Sequence, residues 1–306
     1  MKNPFISRLG LLDKAYPTAI KLPQPVKNSI AHQVPSYLRG KLAKGPMLDR
    51  MTIIVTDVCN LACAHCFIST IERDKKAWEM GLEEYGKFFS SAHGLISQAH
   101  FSGGEPTVRR DFPDIVILAS KLGKIPNSSI FTNGLQSERI LGQLQAILDG
   151  CEMKVGFQIS IDGEEETHDQ IRGKRGALKR TLATMSELRR LKKESPNRVD
   201  RLNINTVISK QNLDKLPDII ESVRDTGFSH SFCFARDSRI HAFNLPDGET
   251  ITEYNPVDYD AYLTPDEMHA ALEVLRKELW DKDPGNLTHG NSRNKRKEFK
   301  ARLFKG

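Results

Sequence analysis

The stretch Met51-Thr-Ile-Ile-Val-Thr56-Asp-Val-Cys59-Asn-Leu-Ala-Cys63-Ala-His65-Cys66 couples a short apolar run to a cysteine-rich loop. The run has the length and composition of a buried strand, so the cysteines follow a strand end. Three of the five cysteines fall within this loop, spaced three residues apart and then two. An odd number of cysteines in a chain of 306 residues does not make a secreted disulfide scaffold, and clustering points to metal or redox chemistry. A loop of this spacing can turn three thiolates toward one centre. An iron–sulfur cube takes a thiolate on each iron, so three local cysteines leave one iron open to a chelating ligand, as catalytic zinc keeps an open position. The other reading is a zinc knuckle with His65 or a remote cysteine as fourth ligand. Structural zinc usually uses two ligand pairs, and Cys151 and Cys233 are single and far apart.

Working outward, apolar strands alternate with helical patterns. The strand candidates are Met51–Thr56, Ser97–Ser102, Ser128–Thr132, Lys154–Ile161, Leu202–Ile208 and Ser229–Ala235. Helical faces are read at Leu178, Leu182, Met185 and Leu188, and at Leu213, Leu216, Ile220 and Val223, the latter capped by Asn212. A further helix opens on the capping box Thr264-Pro-Asp-Glu267, with Met268, Leu272, Leu275 and Leu279 as its apolar face. Six strands interleaved with helices imply parallel pairing through right-handed crossovers. The predicted fold is α/β, an open, partial (β/α)6 TIM-like barrel, with a doubly wound sheet as the alternative. In both, reactive groups belong beyond the C-terminal strand ends.

Motifs follow the later strands as well. Ser102-Gly103-Gly104-Glu105-Pro106 succeeds the second, Thr132-Asn133-Gly134 the third, and Ser160-Ile161-Asp162-Gly163 the fourth, with His168-Asp169 and Arg172-Gly173 beyond it. Glycines let backbone approach a ligand closely, a carboxylate or carbonyl accepts from an ammonium, and an Arg fork suits a carboxylate. Each motif also has a plain structural reading: a Gly-Gly turn with Glu105 exposed, a generic Asn-Gly turn, and an Arg172 that is solvated or paired with Asp169. His168 and Asp169 read as residues that hold the loop's shape. Neither G-x-x-x-x-G-K-[ST] nor a post-strand G-x-G-x-x-G occurs.

Taken together, Cys59-x-x-x-Cys63-x-x-Cys66 and these turns resemble the radical S-adenosylmethionine (radical SAM) superfamily over roughly Pro46 to Leu279. The resemblance implies a [4Fe–4S] cluster held by Cys59, Cys63 and Cys66, with S-adenosylmethionine on the open iron. It implies that Gly103, Gly104, Glu105 and Pro106 receive the methionine amino group and that Thr132 and Asn133 lie near the nucleoside. Ser160 and Asp162 would belong to the ribose-side segment, and Arg172 would pair with the methionine carboxylate. His65 stands where an aromatic commonly packs on the adenine, and Val207, in the fifth-strand segment Asn203–Asn212, is an apolar wall. The implied chemistry is reductive cleavage to a 5′-deoxyadenosyl radical that abstracts hydrogen from a peptide or small metabolite. A flavodoxin or ferredoxin is the implied electron donor. A non-catalytic iron–sulfur or zinc protein serving electron transfer or binding is the alternative, and it has no need of Gly103–Pro106 or Arg172. The nearest pattern is the SPASM/twitch branch, but no cysteine lies beyond Cys233, so ligands for auxiliary clusters are missing. The chain is expected either to be a single-cluster enzyme or to stop where that extension begins.

Charge frames this reading. The net charge is +6, yet Met1–Pro46 carries +7 and Gly285–Gly306 carries +6, which leaves the middle near −7. Basic flanks suit an acidic protein partner, a membrane surface or nucleic acid, of which nucleic acid is the least favoured here, or serve only solubility. Six prolines in residues 1–46 argue for an extended arm. The expected organisation is an arm over 1–46, a core over 47–281 and a basic tail over 282–306. Charged residues interrupt the N-terminus and no apolar run has membrane-spanning length, so a cytoplasmic location is expected. Arg236, Asp237, Arg239 and His241, after the sixth strand, read as either substrate-facing or a solvated loop.

Overall fold

The computed structural model describes residues 48, 50–66, 79–235 and 261–281. The arm, the tail and the group Arg236, Asp237, Arg239 and His241 lie outside them. Among the described residues there are six strands: β1 (Met51–Thr56), β2 (Gln98–Gly103), β3 (Asn127–Thr132), β4 (Lys154–Ser160), β5 (Val199–Ile208) and β6 (Ser229–Phe234). They are hydrogen-bonded in chain order, β1-β2-β3-β4-β5-β6, in one open sheet. β1 through β4 pair in parallel. The bonds Val155 N to Arg198 O and Ile161 N to Asn205 O advance together along β4 and β5, as do Ser231 Oγ to Ile204 O and Ala235 N to Ile208 O along β5 and β6, so the parallel sense continues. This is the α/β, open six-unit sheet expected from the sequence, with β5 starting three residues earlier.

The chain gathers into two compact units. The first comprises Met1–Asn60, Ile71–Ile159 and Arg180–Asn203. Its described helices are α1 (Leu82–Ser91), α2 (Phe112–Lys121), α3 (Ser137–Gly150) and most of α5 (Ala177–Glu194). Buried side chains alternate along β2 to β4: Ala99 and Phe101, Ser128 and Ile130, and Val155, Phe157 and Ile159 are each two residues apart. Phe112 of α2 meets Phe101 edge-on at 5.8 Å, and Ile115, Val116, Ile140, Leu144 and Ile147 complete a core with almost no exposed area. Burial of such side chains contributes roughly 1.5–3 kcal/mol each.

The α5 face differs from the expected one. Leu182 is exposed, whereas Ala177, Thr181, Thr184, Met185 and Leu188 are buried. The threonines win that face because their hydroxyls have partners there: Thr181 Oγ1 donates to Asn133 O at 2.8 Å and Thr184 Oγ1 to Gly134 O at 2.6 Å. A buried hydroxyl is tolerated once bonded, and these two fasten the turn that follows β3.

The second unit comprises Leu61–Thr70, Ser160–Lys179 and Ile204–Gly306. Its described helices are α4 (Glu165–Arg172), α6 (Leu216–Val223) and α7 (Pro265–Leu275), the last continuing as a π-helical turn over Arg276–Asp281. Ile208, Leu216, Ile220, Leu263 and Ala271 form its apolar cluster, with Phe232, Met268, Leu275 and Leu279 packed against it. The Thr264 capping box is present, with Glu267 N donating to Thr264 Oγ1 and Thr264 N to Glu267 Oε2. Asn212, however, does not cap α6. That helix opens at Leu216 with Pro217 in its first turn. The buried Asn212 amide accepts from Ser209 N and donates to Asp162 O and Val207 O, tying the β4 and β5 ends together. An amide with both donors and its acceptor used by backbone is more valuable there than as a cap.

Candidate functional site

In the first unit three strand ends are locked to one another. β1 ends at Thr56, the chain runs on through Val58 to Cys59, and the Gly103-Gly104 turn lies directly on that backbone. Gly104 N donates to Thr56 O at 2.7 Å and Glu105 N to Val58 O at 2.9 Å. A Cβ on Gly103, where φ is +141°, would sit 2.1 Å from Thr56 O, and one on Gly104 would sit 2.3 Å from Val58 O. Only glycine permits this approach. The close approach expected of these glycines is thus made to the chain's own β1 loop.

Glu105 is fully buried, not exposed as the Gly-Gly-turn reading had it. Its Oε1 accepts from Thr107 N (3.2 Å), Thr107 Oγ1 (2.6 Å) and Thr132 Oγ1 (2.9 Å), and its Oε2 from Asn133 N (2.7 Å). Burial pushes the carboxyl above its ordinary range, and these four donors oppose that rise. The carboxylate therefore joins the turn after β2 to the turn after β3, while Pro106 opens a short 3-10 turn beneath it. Asn133 in turn donates through Nδ2 to Asn60 Oδ1 at 2.8 Å and lies 4.0 Å from Cys59 Sγ, and its Oδ1 accepts from Leu135 N. Thr132 Oγ1 also accepts from Gly134 N.

A second clamp grips the same loop. Arg109 donates to Val55 O at 2.8 Å and Met80 O at 2.7 Å, and forks onto Asp111 at 2.7 and 2.9 Å. It lies 3.7 Å from Glu79, whose other oxygen accepts from Thr56 Oγ1. Sequence reasoning missed Arg109, Glu79, Thr181 and Thr184. The threonines did carry a signal, since threonine three residues apart inside a helix is disfavoured unless it bonds something.

In the second unit the remaining loop, Leu61–Cys66, rests on the C-terminal end of α4. Ala64 N donates to Ile171 O at 2.9 Å, and Gly173, at φ +65°, ends α4 close to Ala62 O. A tight turn from Cys66 N to Cys63 O at 3.0 Å holds those two cysteines near each other. Asp162 and Arg172 are buried beneath them. Arg172 Nη2 lies 2.6 Å from Asp162 Oδ2, and Nη1 donates to Cys63 Sγ at 3.6 Å. The ion-pair partner of Arg172 is therefore Asp162 rather than Asp169, which accepts from Gly176 N and Leu178 N. Asp162 also accepts from Val207 N at 3.0 Å, and its own N–H donates to His168 Nδ1 at 3.1 Å.

The electrostatics follow from this packing. Burial alone works to raise the Asp162 carboxyl, but Arg172 and then His65 hold it below the usual carboxylate range. Burial lowers Arg172, and Asp162 with Cys63 more than reverses that. Burial pushes the Cys63 thiol up while Arg172 draws it back. His65 Nε2 is 3.9 Å from Asp162, yet burial lowers its pKa and the ring stays neutral near pH 7. His168 falls to about 4, chiefly through burial, which suits an Nδ1 that accepts from Asp162 N–H. Ser160 and Val207 are half-buried at the ends of β4 and β5.

None of the five cysteines is joined in a disulfide. Cys59 belongs to the first unit, with Gly103–Pro106, Thr132 and Asn133, and Cys63 and Cys66 belong to the second, with His65, Ser160, Asp162, Arg172 and Val207. Among the described residues no group of three His, Cys, Asp or Glu side chains stands ready as a metal site, and no helix is long and apolar enough to cross a membrane.

Comparison with known proteins gives this arrangement its relatives. Residues 53–223, more than half the chain, match the profile of the Radical SAM superfamily. The chain is 29% identical over 185 residues to the sporulation killing factor maturation protein SkfB of Bacillus subtilis, covering 58% of this chain and 40% of that one. It is 33% identical over 168 residues to a PqqA peptide cyclase of Bradyrhizobium diazoefficiens, covering 55% and 41%. The chain thus spans about two fifths of the length of these curated relatives. Streptococcus suis SuiB, solved with S-adenosylmethionine bound, shares the fold at a TM-score of 0.55 and 14% identity, over 92% of this chain and 59% of that one. A triple-cysteine loop on the first of six parallel strands, inside a profile match of that extent, makes the chain a member of the radical SAM superfamily.

Proposed function

We propose that this protein is a radical SAM enzyme that modifies a peptide. The observation that carries the reading is the Cys59-Cys63-Cys66 loop placed directly after β1 within the family's span. The family implies a [4Fe–4S] cluster and S-adenosylmethionine. The residues fit: three cysteine sulfurs outside any disulfide are soft donors of the kind such clusters take, and the buried Arg172 beside Cys63 offsets thiolate charge. Once bound, these groups would supply one-electron reductive cleavage of a sulfonium C–S bond and radical abstraction of hydrogen.

The chain's own residues prepare that chemistry. Cys59, Cys63 and Cys66 would hold the cluster as thiolates. The Gly104 and Glu105 N–H groups are given to the β1 loop, so the turn offers a ligand acceptors, which is what an ammonium needs. Glu105, its oxygens taken by four donors, keeps that turn and Thr132-Asn133-Gly134 in register rather than touching the ligand. The neutral His65 ring and the Val207 side chain suit an adenine face. Arg172 Nε and Nη2 are both buried with no hydrogen-bond partner among the described residues, and these donors are the ones left to meet a methionine carboxylate. Ser160 and Asp162 hold the ribose side. A peptide substrate is supported by the PqqA peptide cyclase relative; a small metabolite is the other class the sequence carries. The basic flanks suit an acidic flavodoxin or ferredoxin as electron donor, so raising salt slows cluster reduction by that donor.

Anaerobic reconstitution of the full chain, reduction with dithionite and chromatography for 5′-deoxyadenosine test the reading. The nucleoside is expected; an intact cluster that yields none overturns the enzymatic proposal.

A further inference from the structure

The pair Asp162–Arg172 does more than fill space. Both side chains are buried, and one end of the guanidinium is given to a cysteine sulfur instead of to backbone oxygen. Breaking a buried ion pair is costly, while replacing it by neutral groups often is not, so the pair is a weak device for stability. Asp162 sits against the fork as its counter-ion: Oδ2 lies 2.6 Å from Nη2 as an ion pair without hydrogen-bond geometry, and Oδ1 is itself held by Val207 N–H. That leaves Nη1 aimed at Cys63 Sγ at 3.6 Å. Hydrogen bonds to ligating sulfurs and the local charge are the protein's main means of setting an iron–sulfur potential.

We propose that Arg172 is a redox-positioning residue. Its N–H···S bond and positive charge at Cys63 raise the reduction potential of the metal centre that Cys63 ligates, and Asp162 limits that rise. The inference rests on the cluster reading above. Adding an electron makes the centre more negative, so a fixed positive charge beside one of its sulfurs favours the reduced form. A carboxylate one contact further out, at Arg172, partly cancels it.

The test is a potentiometric titration of the reconstituted full chain, followed by electron paramagnetic resonance of the reduced cluster without S-adenosylmethionine. Three variants are compared with the parent protein: Asp162→Asn, Arg172→Lys, and the double variant Arg172→Gln with Asp162→Asn, which removes both charges and strands neither. Asp162→Asn leaves the cation uncompensated and is expected to favour reduction by about tenfold, or about 59 mV for one electron. The double variant is expected to disfavour reduction by a similar factor. Arg172→Lys, which keeps charge but loses the planar fork, is expected to fall between parent and double variant. Shifts of opposite sign separate electrostatic tuning from simple loosening, which moves every variant the same way. Reduction equilibria within threefold of the parent in both Asp162→Asn and the double variant, or shifts of one common sign in those two, overturn the proposal. A parent protein with no reducible four-iron signal overturns the cluster reading itself, so the two failures are told apart.

Discussion

Replacing Glu105 with alanine removes one carboxylate and strands four donors, two of them backbone N–H groups, Thr107 and Asn133. The hydroxyls of Thr107 and Thr132 can rotate toward other acceptors. The two amides cannot, since turn geometry fixes them. A buried donor left without a partner costs about 1–3 kcal/mol, so the two together cost roughly 2–6 kcal/mol. Losing the side-chain volume adds a cavity term of the same sign. Against a total stability of about 5–15 kcal/mol that is a severe loss. Glu105→Gln keeps the shape but turns an NH2 group toward at least one of these donors, and is expected to fall between alanine and the parent. Urea unfolding gives the free energies, and hydrogen exchange read by mass spectrometry over peptides containing Thr107 and Asn133 localises the effect. A Glu105→Ala protein within about 1 kcal/mol of the parent, with both amides still protected, would show that the carboxylate does not join the two turns.

Gly104→Ala places a methyl group 2.3 Å from Val58 O, and the obstacle is backbone, so the Asp57–Val58 segment must move. Iron content after reconstitution is expected to fall sharply while secondary structure survives; full iron loading would refute the packing argument. Thr181→Val and Thr184→Val each remove one hydroxyl donor to the Asn133–Gly134 turn and are expected to lose about 0.5–1.5 kcal/mol in denaturant unfolding. No change in either would assign those contacts no weight. His168 has a folded pKa of about 4, below its ordinary 6.5, so the unfolded chain takes up the proton first on acidification. The stability it contributes is present above pH 6.5 and is lost as pH falls toward 4, by roughly 3 kcal/mol in all. A His168→Gln protein with an unchanged stability-versus-pH slope between pH 6.5 and 4 contradicts this. Cys63→Ala is expected to abolish both cluster absorbance and 5′-deoxyadenosine formation, and a variant that kept both would remove Cys63 from the ligand set.

Strands were legible to within a residue or so in most cases because β-branched and aromatic runs bounded by turns have few other uses. The start of β5 was missed because Val199-Asp-Arg201 carries two charges, and the pairing that extends it, Val155 N to Arg198 O, is long-range. Helix faces were harder. Counting only apolar residues put Leu182 inside α5, when the buried threonines there answer to carbonyls 48 and 50 residues away in sequence. Asn212 carries the composition of a cap and the position of a bridge, and only its three-dimensional partners distinguish the two. The cysteine loop and the turns after β2 to β4 stood out as motifs. What those motifs touch did not: Glu105 reaches Thr132 and Asn133, and Arg172 reaches Asp162 and Cys63, through contacts that no local spacing encodes.

The seating of Gly103 and Gly104 on Thr56 and Val58 bears on how this scaffold can be re-engineered. Two segments some forty-five residues apart form one moulded joint with no side chain between them to absorb error. A cysteine loop transplanted from another protein will seat only if its first three residues follow the same path, so a workable graft carries the glycine turn along with the loop.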